Sequence, residues 1–275
     1  MSTSSAAPSY EQGGADRPGT ATARAATPSM RTVLRRQLAL IAHTRGRAMF
    51  TFVLMGCLAI LLTPGQLFDP QDTMLGTGFI LGGAWALGVW SDEAPSERVY
   101  HRMLPVGRRR HDLLRVLAGL GWLLAMLAVV YAVGGTRLMT GWHPVHVAEA
   151  GGVWQMVPGR YWLNLLTAPL TTYLAVSAFA VAVDRPGLWM VLTLGASLGL
   201  LRLAEFLELG PLLAVLHFLL AGRHGLGEAL VGTVGYVPII GDLTPPDRWL
   251  YTALTWLALA ALAVILSSRV YRDVR

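Results

Sequence analysis

Three ionisable residues near the end of an apolar run are the clearest candidates for chemistry. Arg202, Glu205 and Glu208 follow an apolar run that begins at Gly187. A helix starting at Gly187 carries Arg202 about 22 Å along its axis, within the roughly 30 Å of a bilayer core. Charged groups at that depth face a cavity or one another. The three residues are therefore either part of a polar path or, for Arg202 and Glu205, an ion pair where the helix ends early.

Several other kinds of chemistry are excluded by missing residues. All 22 positively charged side chains are arginine, so no lysine can serve a P-loop, a Schiff base or a Ser-Lys dyad. Cys57 is the only cysteine, which excludes an internal disulfide and a CxxC redox or zinc pair. The sequence has no His-Glu-x-x-His motif. We therefore expect no catalytic residues, metal site or bound cofactor in this chain.

Apolar helices must position these residues, because the composition is that of a membrane protein. Hydrophobic residues make up 54% of the 275 residues and charged residues 14%, against roughly 45–50% and about 25% in soluble domains. A membrane-spanning helix needs about 20 apolar residues. Six runs approach that length, and they predict spans over residues 48–63, 74–90, 116–133, 161–183, 187–201 and 249–268.

The segments outside these runs have different characters. Residues 1–30 lack an apolar run and are expected to form a disordered tail. Residues 31–47 carry five arginines with Leu34, Leu38 and Ile41 at helical spacing, which favours an amphipathic surface helix over a mere charged flank. Residues 211–221 are apolar but too short to span. The predicted fold is an all-α integral membrane protein with six spans, this surface helix and a re-entrant extracytoplasmic hairpin between spans five and six.

The distribution of arginine orients the predicted bundle. With the N-terminus inside, 17 arginines lie on the cytoplasmic side and five outside, as the positive-inside rule requires. Both termini are therefore predicted to be cytoplasmic. Abundant Ala, Gly and Arg without lysine is typical of a GC-rich genome, so we expect a multi-pass protein of a bacterial inner membrane.

The most informative loop joins predicted spans two and three and covers residues 91–115. Ser96 can cap a short helix that Pro105 and Gly107 terminate. Apolar residues recur on its faces four positions apart, as with Tyr100 and Leu104. Two interpretations stay open on these residues alone. The helix either docks into a groove of a soluble partner or forms a basic loop that contacts lipid headgroups.

Over residues 31–275 the sequence resembles the membrane subunits of type-2 ABC exporters, the ABC transporter permeases. The matching motifs are Glu97-Arg98 and Leu104-Pro105-Val106-Gly107-Arg108, placed between the second and third spans. The number of spans, the preceding basic helix and the short link at residues 184–186 also agree. The family often has Gly-Thr after the glutamate, where this chain has Arg98-Val99.

The resemblance implies an ATP-driven exporter subunit that pairs with a second permease subunit around a substrate path. A separate ATPase, which binds ATP and Mg, would dock on the 96–105 helix and touch the 184–186 link; nucleic acid is not an expected partner. The residues implied in ATPase coupling are Glu97, Arg98, Tyr100, Arg102, Met103, Leu104, Pro105, Arg108, Asp184 and Arg185. Arg202, Glu205 and Glu208 are the candidates for the substrate path.

Two pairs of glycines suggest where helices approach closely. Gly78 with Gly82 and Gly195 with Gly199 form small-xxx-small patterns, which permit tight helix contact and are candidates for a dimer seam. The alternatives to an exporter are a membrane enzyme acting on lipids or peptides, and a non-transporting scaffold or immunity subunit.

Overall fold

The computed structural model describes residues 29–62, 70–90, 107–139, 159–183, 186–220, 225–231, 236–237, 241–242 and 249–270. These residues form eight helices: α1 Met30–Leu62, α2 Pro70–Trp90, α3 Arg108–Met139, α4 Gly159–Ala182, α5 Pro186–Phe206, α6 Gly210–Leu220, α7 Leu226–Val231 and α8 Trp249–Val270. Strands β1 Tyr236–Val237 and β2 Gly241–Asp242 pair antiparallel. Six helices, α1 to α5 and α8, are long and apolar enough to cross a membrane. The prediction of a mostly helical protein with six helices able to cross a membrane is confirmed at this level.

The helix bounds differ from the predicted spans mainly at α1 and α3. One continuous helix of 33 residues covers both the predicted surface helix and the first span, so residues 31–47 are not a separate element. α3 begins at Arg108, eight residues before the predicted start at Val116. Arginine ends an apolar run but does not end a helix, because its backbone hydrogen bonds normally and its long side chain can reach polar surroundings. The predicted tail lies outside the described residues, except for Ser29 and Met30.

α1 and α3 pack together over much of their length. Ser29 caps α1, since its hydroxyl accepts a hydrogen bond from the Thr32 N–H at 3.2 Å. An added Cβ at Gly56 would lie 3.2 Å from Val130 of α3. Buried α1 residues recur at helical intervals and form the face turned toward the bundle: Val33, Gln37, Ile41, Gly56 and Ile60.

α2 and α4 approach each other closely at Gly82 of α2. A Cβ added at Gly82 would lie 2.5 Å from the backbone oxygen of Pro169, so only glycine fits that position without a shift. Gly78 is equally close-packed, because the Tyr131 hydroxyl of α3 occupies the space beside it. These two glycines therefore serve packing within one copy of the chain.

Pro169 lies inside α4 and changes one backbone hydrogen bond. Proline has no N–H, so the carbonyl oxygen of Leu165, four residues earlier, loses its usual helical donor. The Tyr131 hydroxyl of α3 donates to that oxygen at 2.9 Å. α3 thus supplies the hydrogen bond to the α4 carbonyl oxygen that the proline leaves without its helical donor.

The core lies between α1, α2, α3, α4 and α8, and α5 stands largely apart from it. Trp85, Tyr173 and Met74 are fully buried in that core. α8 packs against α4 and α3, whereas α5 touches α4 only slightly and α6 somewhat more. Most side chains of α5 are exposed, and an added Cβ at Gly195 or Gly199 would meet nothing within 4 Å. The surface of α5 is thus not covered by the described part of the chain.

Candidate functional site

Buried polar side chains gather at one end of the bundle. We define the inner end as the end where α1 and α3 begin and α2 and α4 finish. In the described ranges, the buried polar residues near that end form the inner cluster: Gln37, His111, Arg115 and Ser177. The remaining buried polar residues lie on α4, α7 and α8: Asn164, Thr167, Thr171, Glu228 and Thr252.

Gln37 and His111 connect α1 to α3 within the inner cluster. The amide nitrogen of Gln37 lies 2.8 Å from Nε2 of His111 and donates to it. Because Nε2 is then the acceptor, Nδ1 carries the ring proton and faces the Asp112 carboxylate at 3.6 Å. The Trp122 indole N–H also donates to the Leu38 carbonyl at 3.1 Å. The first half of α1 is thus held to α3 by side chains from both helices.

Arg115 connects the end of α2 to the beginning of α3. Its Nη2 donates to the Val89 carbonyl at 2.7 Å, and its guanidinium carbon lies 5.2 Å from the centroid of the Trp90 ring. The last carbonyls of a helix lack intrahelical donors and carry partial negative charge, so a cation there is favourable. Since Arg115 is only 9% exposed, the contact with the ring adds attraction in a desolvated setting.

α4 joins the same region through Tyr173. The Tyr173 hydroxyl donates to the Val116 carbonyl of α3 at 2.9 Å, and one turn of α3 away the Trp85 indole N–H donates to the Gly119 carbonyl at 2.9 Å. Both bonds use backbone oxygens of α3 as acceptors. The inner ends of α1, α2 and α4 are therefore each tied to α3 by hydrogen bonds.

The inner cluster frames the segment between α2 and α3. Trp90 is the last residue of α2, and the Gly107 carbonyl accepts from the Arg110 and His111 N–H groups at 2.9 and 3.1 Å to begin α3. Arg108 opens α3. The other predicted coupling residues lie outside the described residues: Glu97, Arg98, Tyr100, Arg102, Met103, Leu104, Pro105, Asp184 and Arg185.

The predicted path residues lie at the far end of α5. Arg202 and Glu208 are exposed, and Glu205 is within α5, although its side chain is not described. Glu208 has a positive φ of 52°, and the Leu209 N–H bonds to the Ala204 carbonyl at 3.0 Å. This is the Schellman ending of a helix, in which the residue at the position of Glu208 is usually glycine. The Arg202–Glu205 ion pair stays a prediction.

Sequence reasoning missed the inner cluster. Arg115 was assigned to the loop at residues 91–115, and this was wrong because Arg115 lies within α3 and is buried. A charged residue next to an apolar run was counted as part of the loop. Gln37 offered a signal, since it occupies the apolar stripe between Val33 and Ile41 and a polar residue in such a stripe needs a buried partner.

Comparisons with protein-family models, curated proteins and solved structures gave no match. The resemblance to ABC permeases therefore rests on the short motifs and the arrangement of spans alone. Among the described residues, no group of three or more His, Cys, Asp or Glu side chains could hold a metal ion.

Proposed function

We propose that the chain is the transmembrane subunit of an ATP-driven exporter in a bacterial inner membrane, with both termini in the cytoplasm. It would form the substrate path as a dimer and be driven by a separate ATPase subunit, on which ATP and Mg bind. The chain itself would be a transport subunit without enzymatic activity.

The observation that carries the proposal is the anchoring of the segment between α2 and α3. This segment holds the Glu97-Arg98 and Leu104-Pro105-Val106-Gly107-Arg108 motifs, and a buried arginine joins the two helices at its ends. A displacement of the segment by a docked ATPase would reach α2 and α3 together. The hydrogen bonds of Tyr173 and Gln37 would pass it on to α4 and α1, because packed elements move rather than deform.

The exposed α5 helix supports pairing with a second copy. Its apolar side chains and the open space beside Gly195 and Gly199 offer a surface that another helix can approach closely. Arg202 and Glu208, exposed near the same helix end, would then lie close to the joint between two copies. Ionisable groups at membrane depth are usual along transport paths.

The test asks whether the permease, purified from its native membrane, carries a bound Walker-type ATPase. The variant carries Tyr100→Ala with Leu104→Ala. Truncating two such anchors costs about 2–4 kcal/mol of association, so capture and transport-stimulated ATP hydrolysis should fall at least thirtyfold. A matched control, Leu209→Ala with Val215→Ala, truncates two exposed apolar residues on the opposite side of the predicted bundle and should leave both readouts unchanged.

Membrane insertion is measured in parallel for both variants. Equal capture by the wild type and the double variant would overturn docking on the 96–105 segment. Absence of any ATPase bound to the wild type would favour a scaffold or immunity subunit instead, and hydrolysis of lipids or peptides by the purified chain would favour a membrane enzyme.

A further inference from the structure

The beginnings of α1 and α3 bring arginines of both helices to one place. The Gln37 amide and the His111 ring meet at 2.8 Å. Arg35-Arg36 directly precedes Gln37, Arg109-Arg110 directly precedes His111, and all four arginines are exposed. Arg31, one turn earlier on α1, is exposed as well. We call these five residues the basic rim: Arg31, Arg35, Arg36, Arg109 and Arg110.

The two helices supply little negative charge to this rim. α1 contains no acidic residue, and Asp112 is the single one in α3. Asp112 faces the buried ring of His111 at 3.6 Å. Within the described chain, no arginine of the basic rim forms an ion pair. Arg31 and Arg35 are four residues apart on one helix, where like charges repel. An anionic partner would therefore stabilise this end of the bundle.

The helix faces beside the rim pass from arginine to exposed leucine. Arg110, Leu117 and Leu124 recur every seven residues and share one face of α3, and both leucines are exposed. On α1, Leu40 lies one turn after Arg36 and is 43% exposed. Both helices are able to cross a membrane. Such faces match the boundary between lipid headgroups and acyl chains, whereas a nucleic acid would contact the charges and leave the leucines in water.

We propose that the basic rim binds the phosphate groups of anionic phospholipids in the leaflet at the inner end. A guanidinium can bind a phosphate through two parallel N–H donors, and every positively charged side chain of this protein is an arginine. Since Gln37 and His111 hold α1 against α3, lipids bound along the rim would contact both helices. The site does not depend on the exporter assignment, because it uses only the described beginnings of two helices.

The experiment measures which lipids stay bound to the full-length protein. Nanodiscs contain phosphatidylglycerol and phosphatidylcholine in equal amounts and with the same acyl chains, so only the headgroups differ. Native mass spectrometry of the released protein counts both lipids, and the enrichment is the ratio of bound phosphatidylglycerol to bound phosphatidylcholine. We expect an enrichment of at least about tenfold, since each basic residue near an anionic surface strengthens the attraction about fivefold.

Two double variants test the two halves of the basic rim. One carries Arg35→Gln with Arg36→Gln on α1, and the other carries Arg109→Gln with Arg110→Gln on α3. Each should lower the enrichment at least about fivefold, because two of the five charges are removed. In nanodiscs of phosphatidylcholine alone, the thermal midpoint of both variants should not fall below that of the wild type, since the four side chains are exposed.

The matched control carries Arg47→Gln with Arg269→Gln. It removes the same charge from two exposed arginines outside the basic rim, and it should keep the enrichment of the wild type. The proposal is overturned if the wild type binds the two lipids in equal amounts, or if the control lowers the enrichment as much as the rim variants do. A loss in only one of the two rim variants would also overturn it, because the surface would then not extend over both helices.

Discussion

The same glycine spacing occurs on α2 and on α5, in opposite surroundings. At Gly82 an added Cβ would meet the Pro169 backbone of α4, whereas at Gly195 it would meet nothing within 4 Å. The spacing of small residues therefore indicates that another helix can approach this face closely, but it does not indicate which helix does so. On α2 the approaching elements belong to the same chain. On α5 the face is left for lipid or for a second copy.

The difference extends to how each region is held. α2, α3 and α4 exchange hydrogen bonds from tyrosine and tryptophan side chains to backbone carbonyls. α5 hydroxyls bond within their own helix instead, as Thr193 does to the Trp189 carbonyl at 2.7 Å. The effects of substitutions on the free energy of unfolding should consequently differ in size and in sign between the two regions.

The largest difference is expected between Gly82→Ala and Gly195→Ala. The first forces backbone against backbone and should destabilise the fold by about 2–3 kcal/mol, as overpacking does. The second adds a methyl group where the single chain has open space, and it should stabilise a monomeric sample by about 0.5–1 kcal/mol. Thermal unfolding in nanodiscs measures both. Equal effects of the two changes would show that α2 and α4 do not approach as described.

A smaller effect is expected where Tyr131 fills the space beside Gly78. Tyr131→Phe removes the donor to the Leu165 carbonyl and should cost about 0.5–1.5 kcal/mol. Gly78→Ala alone should cost about 1–3 kcal/mol, since the methyl group meets the tyrosine hydroxyl. The double variant should cost less than the sum, by at least about 0.5 kcal/mol, because the two changes relieve one clash. Strict additivity of the unfolding free energies would contradict this contact.

The smallest effect is expected at the end of α5. Glu208→Gly should stabilise the protein by about 1 kcal/mol, because glycine adopts a positive φ without strain. Glu208→Ala is the matched control, as it removes the charge and keeps the strained backbone, and it should bring no such gain. A gain of equal size in both variants would assign the effect to charge rather than to backbone conformation.

The sequence predicted the helices better than their contacts. The second to sixth predicted spans fall inside the helices α2, α3, α4, α5 and α8, and none extends beyond its helix by more than one residue. Long apolar runs predict such helices well because they reflect burial in lipid directly. The first span was predicted correctly as a helix, but its fusion with residues 31–47 was not. Periodicity along one segment does not carry information about Gln37 and His111, whose contact spans 74 positions. The role of Gly78 and Gly82 was ambiguous for the same reason.

The contact between Gln37 and His111 has a consequence for the synthesis of the chain. The two residues are 74 positions apart, so at about 5–20 residues per second His111 leaves the ribosome about 4–15 s after Gln37. During that interval the Gln37 amide lacks the partner that it has in the folded chain. Water and headgroups can solvate that amide only near the membrane surface, and Arg31, Arg35 and Arg36 beside it favour that depth. The emergence of the third helix then sets the moment at which the beginning of the first helix can dock.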